Sequence, residues 1–267
     1  MDRYAAMFAR CGAAGEGAFG AFVTLGDPDL ERSAAILDLL VDSGADMLEV
    51  GIPFSDPVAD GPVIQASAQR ALAAGVRPAD AFRLIADFRS RHPHVPVGIL
   101  TYANLVVARG RDAFYRAAAE AGADSVLVAD VPVLEAVPFV EAARTAGIAP
   151  VLIAAANTPV ARLAWIAALG AGYTYCVTRA GVTGADEELH LGHGRMLATL
   201  RAHGAPPPVF GFGIARPEHV RSALAAGGVG VICGSAIVEL VARGQLDRLR
   251  EYVGGMKGTT QLRAAPA

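Results

Sequence analysis

The sequence predicts an α/β chain folded as a single (β/α)8 TIM barrel, with an extra N-terminal helix closing its bottom. Three observations predict it. Short β-type runs alternate with segments of helical periodicity along the whole chain. The strand–helix units number eight over about 250 residues, the size of a closed parallel barrel. Glycine-bearing turns recur where a helix hands over to the next strand. The 267 residues could form one large domain or two small ones on length alone. No linker or low-complexity stretch divides them, so 1–267 is read as one domain.

The elements follow in order. Tyr4, Met7, Phe8 and Cys11 stand at i, i+3, i+4 and i+7, giving an amphipathic helix over 1–12. Such a stripe could lie on a membrane, but it is better suited to plugging the open end of a barrel. Strands are expected at 20–24, 47–50, 97–101, 125–128, 150–153, 173–177, 209–212 and 230–233. Between them, sets such as Ser33, Ile36, Leu37, Leu40, Val41 and Phe114, Ala117, Ala118, Ala121 have helical spacing. Gly44-Ala45-Asp46, Gly122-Ala123-Asp124 and Gly170-Ala171-Gly172 each lie between a helix and a strand, where the first glycine would stop the helix in the left-handed region. A doubly wound open sheet is the structural alternative. It usually carries a glycine-rich nucleotide turn after its first strand, and Leu25-Gly26-Asp27-Pro28 is not one. The tail 259–267 is expected to fray.

Composition narrows the function. Apolar residues make up 53% and charged residues 18%, enough for a sizeable core and too apolar for disorder. The formal net charge is -3, Lys257 is the only lysine, and the arginines are scattered, so nucleic-acid binding has no electrostatic basis. Cys11, Cys176 and Cys233 are far apart and odd in number, as in a reducing cytoplasm, and each is read as a small buried apolar residue. The opening Met1-Asp2-Arg3 is not the basic start of a secretory leader. The apolar stretch 223–238 is broken by glycine and serine, so no membrane span is expected.

Barrel active sites gather at the C-terminal ends of the strands. Glu49 in Met47-Leu48-Glu49-Val50-Gly51 shares a strand face with Met47 and Gly51. A carboxylate on a strand covered on both faces is costly unless partnered or functional, and no strand supplies an inward arginine. An apolar setting would raise its pKa until it could both give and take a proton near neutrality. The loop 52–62 carries Asp56 and Asp60 between Pro53-, Pro57- and Pro62-stiffened turns. Asp60 could simply cap the helix opened by Gly61-Pro62, yet it follows Glu49 on one loop, so both carboxylates can meet over the barrel mouth.

Strand seven ends in Phe210-Gly211-Phe212-Gly213-Ile214 and strand eight in Ile232-Cys233-Gly234-Ser235 before a helical run. Glycines at neighbouring strand ends let backbone amides approach an anion, and a helix start adds its dipole, so a phosphate grip is expected here. Tyr173-Thr174-Tyr175 marks strand six, and the long Gly-rich stretch from Arg179 to about Gly194 suits a closing lid. His190 and His193 lack a completing ligand, read as exposed lid histidines, and are assigned no metal.

Taken together, these segments resemble the tryptophan synthase α subunit family from Met1 to about Tyr252. The resemblance rests on 22–28, 48–57, 59–62, 102–104, 125–132, 172–175, 179–184, 211–214 and 234–238. It implies a lyase of tryptophan biosynthesis that cleaves indole glycerol phosphate to indole and glyceraldehyde phosphate. Glu49 matches the family's acid–base residue and Asp60 the residue that holds the indole N–H. Phe22, Leu100, Leu127, Tyr175, Phe212 and Ile232 match the indole pocket, and Tyr102 is also assigned to substrate binding. Gly184, Gly213, Gly234 and Ser235 match the phosphate site, and Thr183 matches the lid residue that reaches Asp60. No cofactor is implied for this chain. The implied partner is a pyridoxal-phosphate β subunit in an α2β2 complex, docking on the 53–60 loop with Pro53, Asp56 and Pro57, on Asn104, and on the 130–133 turn with Asp130 and Pro132.

Two stretches depart from the family pattern. Ala154-Ala155-Ala156 replaces a proline-bearing turn, so a more pliable strand-five loop is expected, and 185–190 in the lid also differs. A stand-alone lyase releasing free indole would carry the same catalytic residues. A non-catalytic docking barrel is disfavoured by intact Glu49 and Asp60. A Schiff-base aldolase is disfavoured because no barrel strand carries lysine.

Overall fold

The computed structural model describes residues 2–177 and 193–262. Among these, nine parallel strand segments form one sheet: β1 (Ala18–Thr24), β2 (Met47–Gly51), β3 (Val97–Thr101), β4 (Ser125–Val128), β5 (Ala149–Pro150), β6 (Leu152–Ala155), β7 (Thr174–Val177), β8 (Pro208–Gly211) and β9 (Gly230–Cys233). Their order is β5-β4-β3-β2-β1-β9-β8-β7-β6. The two end segments are halves of one strand, β5 pairing with β4 and β6 with β7. Between them the Val151 N–H donates to the Val126 carbonyl at 3.1 Å, and the Pro150 carbonyl accepts from Ala171 at 2.9 Å. The fifth strand thus closes the cylinder, and the predicted barrel is present.

The helices are α1 (Arg3–Ala13), α2 (Leu30–Asp42), α3 (Pro62–Ala73), α4 (Pro78–Arg91), α5 (Ala103–Ala108), α6 (Arg111–Glu120), α7 (Val137–Thr145), α8 (Val160–Leu169), α9 (His193–Ala202), α10 (Pro217–Ala225), α11 (Ser235–Ala242) and α12 (Leu246–Gly258). Strand alternation divides the apolar residues into two layers. Leu48, Val50, Ile99 and Val126 face the helices and pack with Ile36, Leu37, Ile85 and Phe88. Met47, Leu100, Leu127, Tyr173 and Ile232 fill the cylinder. Each such side chain contributes about 1.5–3 kcal/mol when fully buried. No described helix is long and apolar enough to cross a membrane.

Helix α1 plugs the N-terminal ends of the strands. The Asp2 side chain accepts from the Ala5 N–H at 3.0 Å and starts the helix. Tyr4, Met7 and Cys11 are buried, and the Tyr4 hydroxyl lies 2.8 Å from Ser125 Oγ, at the first residue of β4. Two aspartates just before strands anchor the plug. Asp46 accepts from the Phe19 N–H, Arg10 and Lys257; Asp124 accepts from the Val97 N–H, Arg3 and Arg89.

Some local expectations hold in the structure and others do not. Gly44 and Gly122 adopt φ of 109° and 85°, as a left-handed helix stop requires. Gly170 instead has φ -72° and ψ 155°; it must be glycine because an added Cβ would lie 2.8 Å from the Ile166 carbonyl oxygen. The tail expected to fray from Thr259 is held as far as Leu262: the Thr260 carbonyl accepts from Gly17 at 2.9 Å and the Leu262 N–H donates to Gly15 at 2.8 Å. Residues 263–267 lie outside the described residues. The Ala154–Ala156 turn is closed by a reciprocal pair, Ala155 N–H to Thr158 Oγ1 at 2.9 Å and Thr158 N–H to the Ala155 carbonyl at 2.8 Å. His193 is buried at the start of α9, 3.1 Å from the Val177 carbonyl and edge-on to Phe210, rather than exposed.

Candidate active site

Glu49 sits in the middle of β2, in register with Phe22 of β1 and Gly98 of β3. It points into the cylinder with Met47 and is 2% exposed. Its Oε1 accepts a 2.9 Å hydrogen bond from the Tyr173 hydroxyl. Oε2 is buried and has no partner among the described residues. Burial pushes the carboxyl up to about 8; the Tyr173 bond pulls it down and the Asp60 charge adds a smaller rise. Glu49 is therefore mainly protonated at neutral pH, with one oxygen that has no partner among the described residues.

Asp60 precedes α3 but does not cap it. Gly61, which has no side chain, is the N-cap and makes no side-chain cap bond, so the Asp60 carboxyl does not stand at the capping position. It is 8% exposed, and burial raises it to about 6. The Tyr102 hydroxyl is buried beside it and lowers this value, without closing a well-formed hydrogen bond. The backbone of Asp60 is held on both sides: its N–H donates to Pro57 at 3.0 Å, and its carbonyl accepts from Gln65 Nε2 at 2.7 Å. Arg70 grips Asp27 through two 2.7 Å bonds and Ser67 meets Thr24 at 2.6 Å, tying α3 to the end of β1. At near-neutral pH one carboxyl is thus kept as an acid and its neighbour as a carboxylate, an arrangement that assigns them different proton tasks.

Both carboxyls line a cavity of about 260 Å³ at the C-terminal ends of the strands. Of the residues singled out in the sequence, Phe22, Leu100, Tyr175, Phe212, Gly213, Ile232, Gly234 and Ser235 also line it. Tyr102 lines a smaller adjoining pocket that shares Phe22, Asp60, Ile64 and Leu100. Leu127 is buried in the same inward cluster as Phe22, Leu100, Tyr175 and Ile232, in register with Leu100. Thr183 and Gly184, and with them His190 and the lid expectation from Arg179 onward, lie outside the described residues. One wall is apolar. The far end is backbone: Phe212 and Gly213 take φ of 55° and 86°, and α11 starts at Ser235 behind Gly234 with no side-chain cap. The N–H groups of a first helical turn lack intrahelical partners, and the helix dipole is positive there. An anion at this end would meet amide donors rather than side-chain cations.

Comparison with known proteins shows the family to which the chain belongs. Residues 8–261 match the family model described as tryptophan synthase alpha chain. The tryptophan synthase alpha chain of Shewanella amazonensis is 50% identical over 266 residues, covering 97% of this chain and 100% of that one. The Klebsiella pneumoniae protein of the same name is 49% identical, covering 98% and 99%. The chain belongs to the tryptophan synthase alpha chain family. Among solved structures, Mycobacterium tuberculosis tryptophan synthase superposes with a TM-score of 0.88 at 30% identity, covering 97% of this chain and 98% of that chain. The tryptophan synthase complex of Pyrococcus furiosus gives 0.81 at 34% identity, covering 91% and 99%.

For an alpha chain of this family, the sequence left some of the cavity unnamed. Pro62, Val63 and Ile64 from the first turn of α3 line it, as do Ile214, Ala215, Ala236 and Glu239. Glu239 lies one turn after Ser235 on α11, a spacing that puts both on one helix face and could have revealed it. Tyr173, the partner of Glu49, was equally legible, since it alternates with Tyr175 on the inward face of the sixth barrel strand. At the rim, Asp56, Asn104, Asp130 and Pro132 are exposed, and Asp130 Oδ1 accepts from the Ala103 N–H at 2.8 Å. Pro53 and Pro57 are buried, so they shape their loop and present little surface to a docking partner.

Proposed function

We propose that the chain cleaves indole glycerol phosphate to indole and glyceraldehyde phosphate, with Glu49 as the acid–base residue and Asp60 as the group that holds the indole N–H. The observation that carries these assignments is the convergence on one cavity with an amide-lined end of a buried Glu49, its carboxyl pushed up to about 8, and Asp60, raised to about 6. Protonated Glu49 gives its proton to the indole carbon that bears the side chain, leaving positive charge on the ring nitrogen. The Asp60 carboxylate accepts the N–H and stabilises that charge. Glu49, now ionised, takes the proton of the hydroxyl on the carbon next to the ring. The carbon–carbon bond breaks, its electrons return to the ring, and the alcohol becomes the aldehyde. The proton count on Glu49 returns to its starting value.

Phe22, Leu100, Tyr175, Phe212 and Ile232 would enclose the indole, while Gly213, Gly234 and Ser235 would hold the phosphate through backbone amides. Thr183 and Gly184 are assigned to the substrate on the sequence alone. The chemistry of this chain runs on its own acids and bases. Lys257, the only lysine, is ion-paired at 2.8 Å with both Asp46 and Glu16 at the other end of the barrel, so no pocket lysine is available for a Schiff base. Pyridoxal phosphate is assigned to a β subunit, with which the chain would form an α2β2 complex in the cytoplasm. The exposed loop tips at Asp56, Asn104, Asp130 and Pro132 are the proposed docking face.

The test is indole release from indole glycerol phosphate by the purified chain, alone and with a β subunit. Glu49→Gln keeps the shape of the side chain and removes its proton chemistry, so turnover should fall about 10²–10⁴-fold. Near-normal release by that variant would refute the assignment.

A further inference from the structure

The two halves of the amide-lined end lie on neighbouring strands, but the ladder between those strands stops short of them. Strand β8 is in register with β9 only at Val209 with Gly230 and Phe210 with Val231. Beyond these pairs the chain turns through Phe212 and Gly213 on one side and through Gly234 on the other, so sheet hydrogen bonds do not fix their separation. Among the described residues, a side-chain hydroxyl reaches both turns. Tyr252, on α12, donates to the Ala215 carbonyl at 2.8 Å and lies 3.0 Å from Cys233 Sγ. Ala215 lines the cavity two residues beyond Gly213, and Cys233 directly precedes Gly234.

The proton arrangement is defined by the surroundings. Cys233 is fully buried and burial pushes its thiol up to about 12, so it stays protonated and can donate to the phenol oxygen. Tyr252 then uses its own proton on Ala215. Nothing in the reaction requires Tyr252 to touch substrate.

We propose that Tyr252 is a positioning residue for phosphate binding, strapping the Gly213–Ala215 turn to the Cys233–Ser235 turn and setting the spacing of their amides. This rests on the reading that this end of the cavity takes the phosphate. The ring of Tyr252 is held by the packing of α12 through the buried Leu249, Val253 and Met256, so Tyr252→Phe removes the strap and leaves the helix seated.

The experiment measures glycerol 3-phosphate binding by calorimetry, and kcat and KM for indole release, in the full chain. Loss of hydrogen bonds of ordinary net strength corresponds to about fivefold to tenfold in affinity. Tyr252→Phe should weaken glycerol 3-phosphate binding and raise KM by that factor, with kcat and its pH dependence unchanged. Cys233→Ala, which removes only one bond, should weaken binding about twofold to threefold, and Cys233→Ser, which restores a donor, should recover it. Unchanged affinity in Tyr252→Phe, an equal fall in kcat, or identical behaviour of the alanine and serine variants would overturn the proposal. A wild-type chain that fails to bind glycerol 3-phosphate would instead sink the underlying phosphate assignment, and the strap with it.

Discussion

Replacing Glu49 by glutamine should remove turnover and yet make the fold more resistant to alkali. The carboxyl moves from 4.5 to about 8 on burial. Between those values the unfolded chain has released the proton while the folded chain retains it. Stability then falls as pH rises, because the folded state binds more protons than the unfolded one. At about 1.4 kcal/mol for each pKa unit, roughly 4 kcal/mol should be lost from the wild type between about pH 5 and pH 9. Glutamine does not titrate. Its amide group takes the place of Oε2, which has no partner among the described residues, and this adds an offset that does not vary with pH. Asp60 is present in both proteins and cancels. Urea unfolding of both proteins at several pH values measures the difference, which should grow in favour of the variant by about 4 kcal/mol across that range. Curves that run parallel with pH would refute the burial argument for Glu49.

Gly211→Ala would place a Cβ 2.0 Å from the Tyr175 hydroxyl and 2.3 Å from its ring carbon. The buried ring must move, with a destabilisation of roughly 1–3 kcal/mol and a lower kcat/KM, read by thermal unfolding and indole release. Gly213→Val puts a β-branched residue at φ 86°; strain of order 1–3 kcal/mol and crowding of the amide end should weaken glycerol 3-phosphate binding about tenfold by calorimetry. Glu239→Gln removes the one carboxylate lining the cavity besides Glu49 and Asp60, among the described residues. Because Glu239 is exposed and paired with Arg243, glycerol 3-phosphate affinity should rise only about twofold to threefold at low salt, and the gain should vanish at high salt.

Much of the fold could be read from the sequence because parallel strands covered on both faces leave continuous apolar runs. The strands at 97–101, 125–128 and 230–233 begin and end as expected. Where the reading slipped, a local contact decided the outcome. The strand expected at 209–212 ends at Gly211 because Phe212 turns to φ 55°, a choice no periodicity encodes. The fifth strand is split at Val151, its first half pairing with β4 and its second half with β7. For the site, Glu49 was legible as a charge on an inward strand face, and Asp60 as a second carboxylate on the same loop. Leu127 was legible as an inward residue from strand alternation, and it stands in register with Leu100 of the cavity wall. Tyr252 and Cys233 carried no signal, since their meeting joins a strand to a helix across the fold.

In the proposed reaction Glu49 enters protonated and Asp60 enters ionised. The pH dependence of kcat/KM for indole release tests it most directly, in the wild type and in Tyr173→Phe. The wild-type profile should be bell-shaped, falling above about 8 as Glu49 ionises and below about 6 as Asp60 gains a proton. The acid limb overlaps ionisation of the substrate phosphate, whose second pKa is about 6, so the alkaline limb is the diagnostic one. Tyr173→Phe removes the bond that favours the Glu49 carboxylate, which should carry the alkaline limb upward by about one unit. A limb that shifts in that direction supports a protonated Glu49 as the starting acid; a wild-type profile still rising beyond pH 9, or a limb unmoved by the variant, would contradict it.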